Sequence, residues 1–323
     1  MTNFRLATPI VGSLRDLEHR LEIKREPLRD LLEARDALYR PFDLHKKKHP
    51  YPGKLRLAEA TRKPAKLRRI DNPAKQLKEI QSKILRRILS NVEFPDYMFG
   101  AVRGRSLVLH ANLHVRNQAS TVVHMDISSF YPSVTCHQIY WVWNTVLNCP
   151  PPVAKLLTEL TTFKWCLPQG APTSSALANI YLASIYGPVC LTCEAKSITI
   201  STWVDDLVFS GSRAREVMEN VRAVLAKSGL RLAEEKREIL GSRSEKIVTG
   251  VRLGSRGPRA PHRVMKDLRS AIHRLATGLV SPEEEVRYRN NLIGRIRHIR
   301  HICVSDAHKL MLLAEMKGLR LQQ

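Results

Sequence analysis

Residues 197–211 read SITISTWVDDLVFSG, and this stretch decides the fold. The alternating character of SITISTWV predicts one strand and LVFSG a second, with Asp205-Asp206 at the tight turn between them, so that a hairpin tip carries two adjacent acids. Upstream, STVVHMDI (120–127) has the same strand character and ends in Asp126-Ile127 ahead of a turn that includes Pro132. A strand-end acid and a hairpin-tip pair can meet at one rim of a sheet. Such an arrangement suits two divalent metal ions about 3.5–4 Å apart, which activate an attacking sugar hydroxyl and neutralise a leaving pyrophosphate. Magnesium prefers the hard oxygens that carboxylates offer. Any one of these acids alone would read as ordinary turn chemistry.

Outward from this centre the pattern is mixed. The first forty residues read as helix, with Leu14, Leu17, Leu21 and Ile23 followed by Leu28, Leu31, Leu32 and Leu38 near helical spacing. Residues 43–66 are basic and proline-rich, with the run Lys46, Lys47, Lys48, and read as an irregular stretch or exposed hairpin. Pro73 is expected to open an amphipathic helix with Leu77, Ile80, Ile84, Leu85, Ile88 and Leu89 on one face and Lys75, Lys78, Lys83, Arg86 and Arg87 on the other. Helices are expected over 135–148, 152–163, 173–186 and 213–228, with extended segments in RLAEEKREIL and EKIVTGVRL and a basic helical tail from about Val264.

The 323 residues carry 53 Lys+Arg against 30 Asp+Glu, a formal net charge of +23 spread along the whole chain. Such a field favours an extended nucleic acid, bound with counterion release. Aromatics are only 6%, so backbone and shape contacts should outweigh base stacking. Arg5, Arg15 and Asp16 interrupt any apolar export signal, and the stretch 176–191 is too short and broken for a membrane span, so a cytoplasmic protein with no membrane partner is expected. Cys190 and Cys193 form a CxxC, but no second pair or nearby His completes a zinc site.

In that order, MDISSFYPS, LPQGAPTSSALANIYL and WVDDLVFSG resemble the three central palm motifs of reverse transcriptases, over about residues 65–275. Two further segments resemble the retron subfamily: GRSLVLHANLH, similar to the retron NAxxH segment with His110 in place of the usual Asn and with Ala111 and His114 matching, and KIVTGVRL, similar to the VTG segment. The resemblance implies an α+β right-hand polymerase fold: N-terminal helices and fingers over 1–119, a palm with an antiparallel sheet over 120–254 that takes in part of the fingers at about 150–172, and a short helical thumb over 255–323. Arg287, Arg289, Arg295, Arg297 and Arg300 of the thumb would track the duplex backbone.

By the same resemblance, Asp126 and Asp205 would bind two Mg2+ ions, which Mn2+ can replace, with Asp206 adjacent and the Ile127 carbonyl an extra ligand. Tyr131 would lie under the incoming sugar, Gln169 and Gly170 would contact the dNTP, and Lys236 and Arg69 (ahead of Arg68) would meet its triphosphate. His110, His114, Val248, Thr249 and Gly250 would contact primer and cognate RNA. The implied activity is RNA-directed DNA synthesis on a structured noncoding RNA, primed from an internal 2′-hydroxyl to leave branched RNA-linked DNA, in anti-phage defence beside an effector protein. An abortive-infection, diversity-generating or group II intron-like reverse transcriptase, or a catalytically silent RNA-binding scaffold, stays open at this point. Trp203, Val204 and Gly254 depart from the usual Tyr, Ala and Asn of the family.

Overall fold

A computed structural model describes residues 6–45, 67–117 and 120–321. It is α+β, with antiparallel sheets and many helices. Backbone contacts divide it into two compact units: unit 1 takes in 1–95, 127–188 and 222–232, and unit 2 takes in 96–126, 189–221 and 233–323. These units cut across the three blocks expected from the sequence, because the chain crosses from one to the other directly after Asp126 and again within the following segments.

Unit 1 begins with the helix Leu14–Leu21, capped by Ser13, whose hydroxyl accepts from the Asp16 N–H at 3.1 Å. The helix Lys75–Arg87 buries Leu77, Ile80 and Ile84 as its spacing requires. Pro73 closes a strand instead of opening this helix, and Ala74 is the N-cap. Part of the helix's cationic face is used internally. Lys83 donates to the Leu21 carbonyl at 2.7 Å and Arg87 to that of Arg20 at 2.8 Å, satisfying the C-terminal carbonyls of the first helix, and both pair with Glu22. Lys75, Lys78 and Arg86 stay exposed.

Strands β1 (Tyr39–His45) and β2 (Leu67–Pro73) pair antiparallel from Tyr39↔Pro73 to His45↔Leu67. The expected exposed hairpin is present to that extent, while the lysine run 46–48 lies outside the described residues. A capping box at Thr135 and Gln138 starts the helix Cys136–Trp141, which widens into a π-type turn over Val142–Val146. The helices Pro151–Thr161 and Ser174–Ile185 follow, the second buried over nearly its whole length by Ala176, Leu177, Ile180 and Leu182.

Unit 2 is built on a four-stranded antiparallel sheet. Its strands are β3 (Thr121–Asp126), β4 (Thr199–Trp203), β5 (Asp206–Gly211) and β6 (Glu238–Leu240), in the order β4-β5-β3-β6. Strands β7 (Ile247–Val248), β8 (Val251–Gly254) and β9 (Gly257–Arg259) form a second small sheet. The helices His262–Ala276, Pro282–Ile302 and Val304–Met316 bury Leu268, Ile272, Leu292, Ile296, Ile299 and Leu310 in one core with Val122, Val208 and Val251. Asp306, 4% exposed, pairs with Arg259 and accepts the Ala260 N–H, tying the last helix to β9. Among the described residues, no single helix is long and apolar enough to cross a membrane.

Candidate active site

The expected hairpin forms, with its turn one residue earlier than the Asp205-Asp206 position the sequence suggested. Trp203 pairs with Asp206 across a two-residue turn made by Val204 and Asp205. Val204 takes a left-handed φ of 58°, a strained state for a β-branched residue, and Gly100 lies against it. A Cβ on Gly100 would stand 2.6 Å from the Val204 nitrogen, so only glycine allows this approach. On the other side of β5, Asp206 is the register partner of Asp126, the last residue of β3. All three acids therefore collect at one rim of the sheet.

Lys236 joins them from a separate turn. The Ala233 N–H donates to the Asp126 carbonyl at 2.8 Å, and the 3-10 turn Glu234–Lys236 then brings the Lys236 ammonium onto the Asp126 carboxylate in a salt bridge. Packing around the Asp206 carboxyl, followed by repulsion from Asp205 and Asp126, raises its pKa to about 6, offset in part by Lys236. Three hard carboxylates in mutual repulsion are a donor set that fits magnesium. Among the described residues no three His, Cys, Asp or Glu groups enclose an ion by themselves.

Behind the rim, β4 and β5 carry a second polar cluster. His110 and His114, one turn apart on the helix Leu107–His114, are both 0% exposed, so neither ring has surface with which to touch RNA. The direct contact expected of them gives way to internal hydrogen bonding. The Ser201 hydroxyl lies 2.6 Å from Nε2 of each ring, His114 Nδ1 meets Ser210 at 2.7 Å, and His110 Nδ1 meets Thr249 at 3.2 Å. With both rings neutral, every donor in this chain finds an acceptor whichever way the protons run. Burial holds His110 down to about 4 and His114 to about 3. His110 also stacks between Phe99 (4.9 Å) and Trp203 (5.7 Å), so Trp203, where the family mostly has Tyr, has its ring covered by the histidine that replaces Asn.

Val248 closes strand β7, as the sequence suggested, while Thr249 and Gly250 form the two-residue hairpin turn into β8. Thr249 and Gly250 have φ of 46° and 81°, Val248 is buried and Gly250 exposed. The departure at Gly254 has a steric reason, since a Cβ there would come within 2.8 Å of the Gly257 carbonyl.

Unit 1 holds the other expected residues. The Asp71 N–H donates to the Gln169 carbonyl at 2.8 Å, and Gly170, φ 127°, lies so close to Ile70 that a Cβ would meet its side chain at 2.8 Å. The Gln169-Gly170 loop is thereby stitched to β2, which carries exposed Arg69, paired with Asp71 at 3.3 Å. Tyr131 is half-buried, its hydroxyl 2.8 Å from that of Ser175. Ile127 is buried and bridges to Leu232. Gly100, Ser201 and Ser210 were not singled out in the sequence; the signal for the serines was a polar residue at an inward position of an otherwise apolar strand.

Residues 46–253 match the family model for reverse transcriptase (RNA-dependent DNA polymerase), and the chain belongs to that family. The similarity extends further to retron enzymes. The chain is 26% identical over 285 residues to the retron Ec86 reverse transcriptase of Escherichia coli, covering 87% of this chain and 84% of that one. It is 28% identical over 220 residues to the retron Se72 reverse transcriptase of Salmonella heidelberg (68% and 54%), and 26% over 243 residues to the retron Ec48 reverse transcriptase of Escherichia coli (69% and 60%). It thus spans most of the first relative and a little over half of the other two.

Proposed function

We propose that this RNA-directed DNA polymerase copies a structured noncoding RNA that it recognises itself, priming from an internal 2′-hydroxyl to give branched RNA-linked DNA, in anti-phage defence beside an effector protein. The observation that carries the polymerase chemistry is the register pair Asp126↔Asp206 with Asp205 at the adjoining turn, which groups three acids and Lys236 at one sheet rim. Asp126, Asp205 and Asp206, with the Ile127 carbonyl, would hold two magnesium ions. Bound there, the ions would activate the attacking hydroxyl and stabilise charge on the transferring phosphoryl group. Lys236, half exposed, would neutralise the leaving pyrophosphate. The roles implied for unit 1 are nucleotide contact by Arg69, Tyr131, Gln169 and Gly170; the stitching of the loop to β2 supports this for the last two together with Arg69. For RNA recognition the reading rests on the exposed tip at Thr249 and Gly250, with His110 and His114 positioning that tip from inside.

The test is to purify the chain from cells that carry it with its native flanking DNA, and to treat the bound nucleic acid with ribonuclease, deoxyribonuclease and debranching enzyme. A short DNA released from RNA by the debranching enzyme is expected. Abundant unbranched DNA points to another reverse transcriptase class, and RNA without DNA to a scaffold.

A further inference from the structure

Unit 1 holds one aromatic ring outward in a backbone state that bulky residues rarely adopt. Phe163 and Cys166 exchange both backbone hydrogen bonds, at 2.9 and 3.1 Å, across a two-residue turn formed by Lys164 and Trp165. Both turn residues are left-handed, with φ of 47° and 66°. Glycine or asparagine ordinarily fills such a turn, and a side chain with a Cβ is disfavoured there. Trp165 is nonetheless 76% exposed, while Trp143 is fully buried. Met316 is more exposed, and Val286, Val304 and Leu279 nearly as exposed, but none of these has a left-handed backbone. Among the exposed large hydrophobics of the described residues, a left-handed backbone occurs only at Trp165, and strain of this kind marks functional positions.

The mounting is rigid. Phe163, at the base of the turn, stacks on Tyr39 at 4.1 Å, and the Tyr39 hydroxyl accepts a hydrogen bond from Gln81 at 2.9 Å. The Cys136 N–H donates to the Trp165 carbonyl at 2.8 Å and the Leu167 N–H to that of Val134 at 2.9 Å. Lys164 folds back over the Phe163 ring at 5.4 Å, leaving the indole as the apolar surface of the tip. Four residues on lies Gln169, so the chain separates the two by at most about 14 Å, a few nucleotide steps.

We propose that Trp165 is a stacking platform for an unpaired base of the RNA template ahead of the nucleotide being copied. This rests on the reading of Gln169 and Gly170 as the nucleotide-contacting loop. A flat indole recognises any base by its π face, which suits a template whose sequence varies as it is read. A paired base, already covered on both faces by its neighbours, offers no such surface.

The experiment uses the full chain with RNA–DNA hybrids that are either blunt or extended by a 5′ single-stranded RNA template, bound by fluorescence anisotropy and extended with dNTPs and magnesium. Trp165→Gly is expected to weaken binding of the overhang hybrid roughly 5- to 150-fold, the fold-change of about 1–3 kcal/mol for one stacked base, while leaving the blunt hybrid unaffected. Its melting temperature should equal or exceed that of the wild type, since glycine relaxes the turn. Trp165→Phe should restore overhang binding to within about twofold, and Lys164→Gly should gain stability without losing affinity. A Trp165→Gly protein that melts lower and loses both hybrids equally would show a structural tryptophan and overturn the proposal, as would unchanged overhang binding. If the wild type extends primers normally in that second case, the polymerase reading stands and only the platform falls. A wild type that does not extend the overhang hybrid overturns both.

Discussion

Strands β4 and β5 serve two polar clusters of opposite character. At the turn between them, Asp205 and Asp206 join Asp126 in a group of like charges that Lys236 offsets in part, with burial and that repulsion raising Asp206 to about 6. Further along the same strands, Ser201 and Ser210 receive His110 and His114 in a buried chain in which each ring nitrogen has a partner. The first cluster holds like charges in repulsion, which supports the proposal that metal ions and substrate phosphates bind there. The second is complete within the fold, so its contribution is to stability and to the shape of the Thr249-Gly250 turn.

The largest effect expected from this contrast is at the rim. Asp205→Asn should lower primer extension by about 10³-fold, equivalent to about 4 kcal/mol of transition-state stabilisation, with a melting temperature unchanged or higher because a repelling charge is gone. Extension at the wild-type rate would remove the metal assignment, and a large drop in melting temperature would make the rim a structural cluster after all.

His114→Leu should behave in the opposite way. It removes one buried hydrogen-bond partner from each of Ser201 and Ser210, which keep His110 and Asn117, and should cost about 1–3 kcal/mol in chemical denaturation. A midpoint indistinguishable from wild type would mean that the cluster does not hold the sheet.

Acidification separates the two clusters further. The folded histidines protonate only at about 4 and about 3, while unfolded histidine does so near its ordinary value. The unfolded chain therefore binds more protons between those limits, and the histidine contribution, fully present above about pH 6.5, is lost as pH falls. Asp206 acts with the reverse sign: its folded pKa is raised, so its destabilising charge disappears as pH falls through about 6. Denaturation midpoints at pH 7.5 and 5.0 should fall more steeply for Asp206→Asn than for wild type, and less steeply for His114→Leu. Equal slopes in all three would break the comparison.

The smallest effect is expected at the half-buried end of the histidine chain. Thr249→Val removes the partner of His110 Nδ1 and should cost about 1 kcal/mol in stability. If the turn presents RNA contacts, the same variant weakens binding of the cognate RNA by more than that stability change accounts for, and titration of the purified RNA at physiological salt measures the difference.

The acid-bearing hairpin was legible because its information is local. Alternation over SITISTWV and LVFSG specifies two strands with Asp205-Asp206 between them, and only strand pairing moved the turn one residue back, to Val204 and Asp205. Asp126 at a strand end and the helices from Lys75, Cys136 and Ser174 are legible for the same reason. The histidine cluster was not. His110 meets Ser201 and Thr249 across 91 and 139 residues, and His114 meets Ser210 across 96, so nothing near either histidine reports whether it points at solvent, RNA or a serine. The turn inside the VTG segment was missed for a related reason. Val248 is in a strand as its β-branched side chain favours, but the left-handed backbone at Thr249 became visible only once β7 and β8 were paired.

By itself, then, the sequence determined the chemistry available: three acids at predicted strand and turn positions, the Gln169-Gly170 loop, and a cationic chain suited to a polyanion. Tertiary structure alone decided which polar groups stay unsatisfied and which are completed. It also decided that Gly100 must lack a side chain for Val204 to turn, and that Trp165 is held outward while Trp143 is buried. The physical reason is range. Hydrophobic alternation and turn propensity act over a few residues, whereas desolvation and hydrogen-bond partnership depend on groups that only the folded chain brings together.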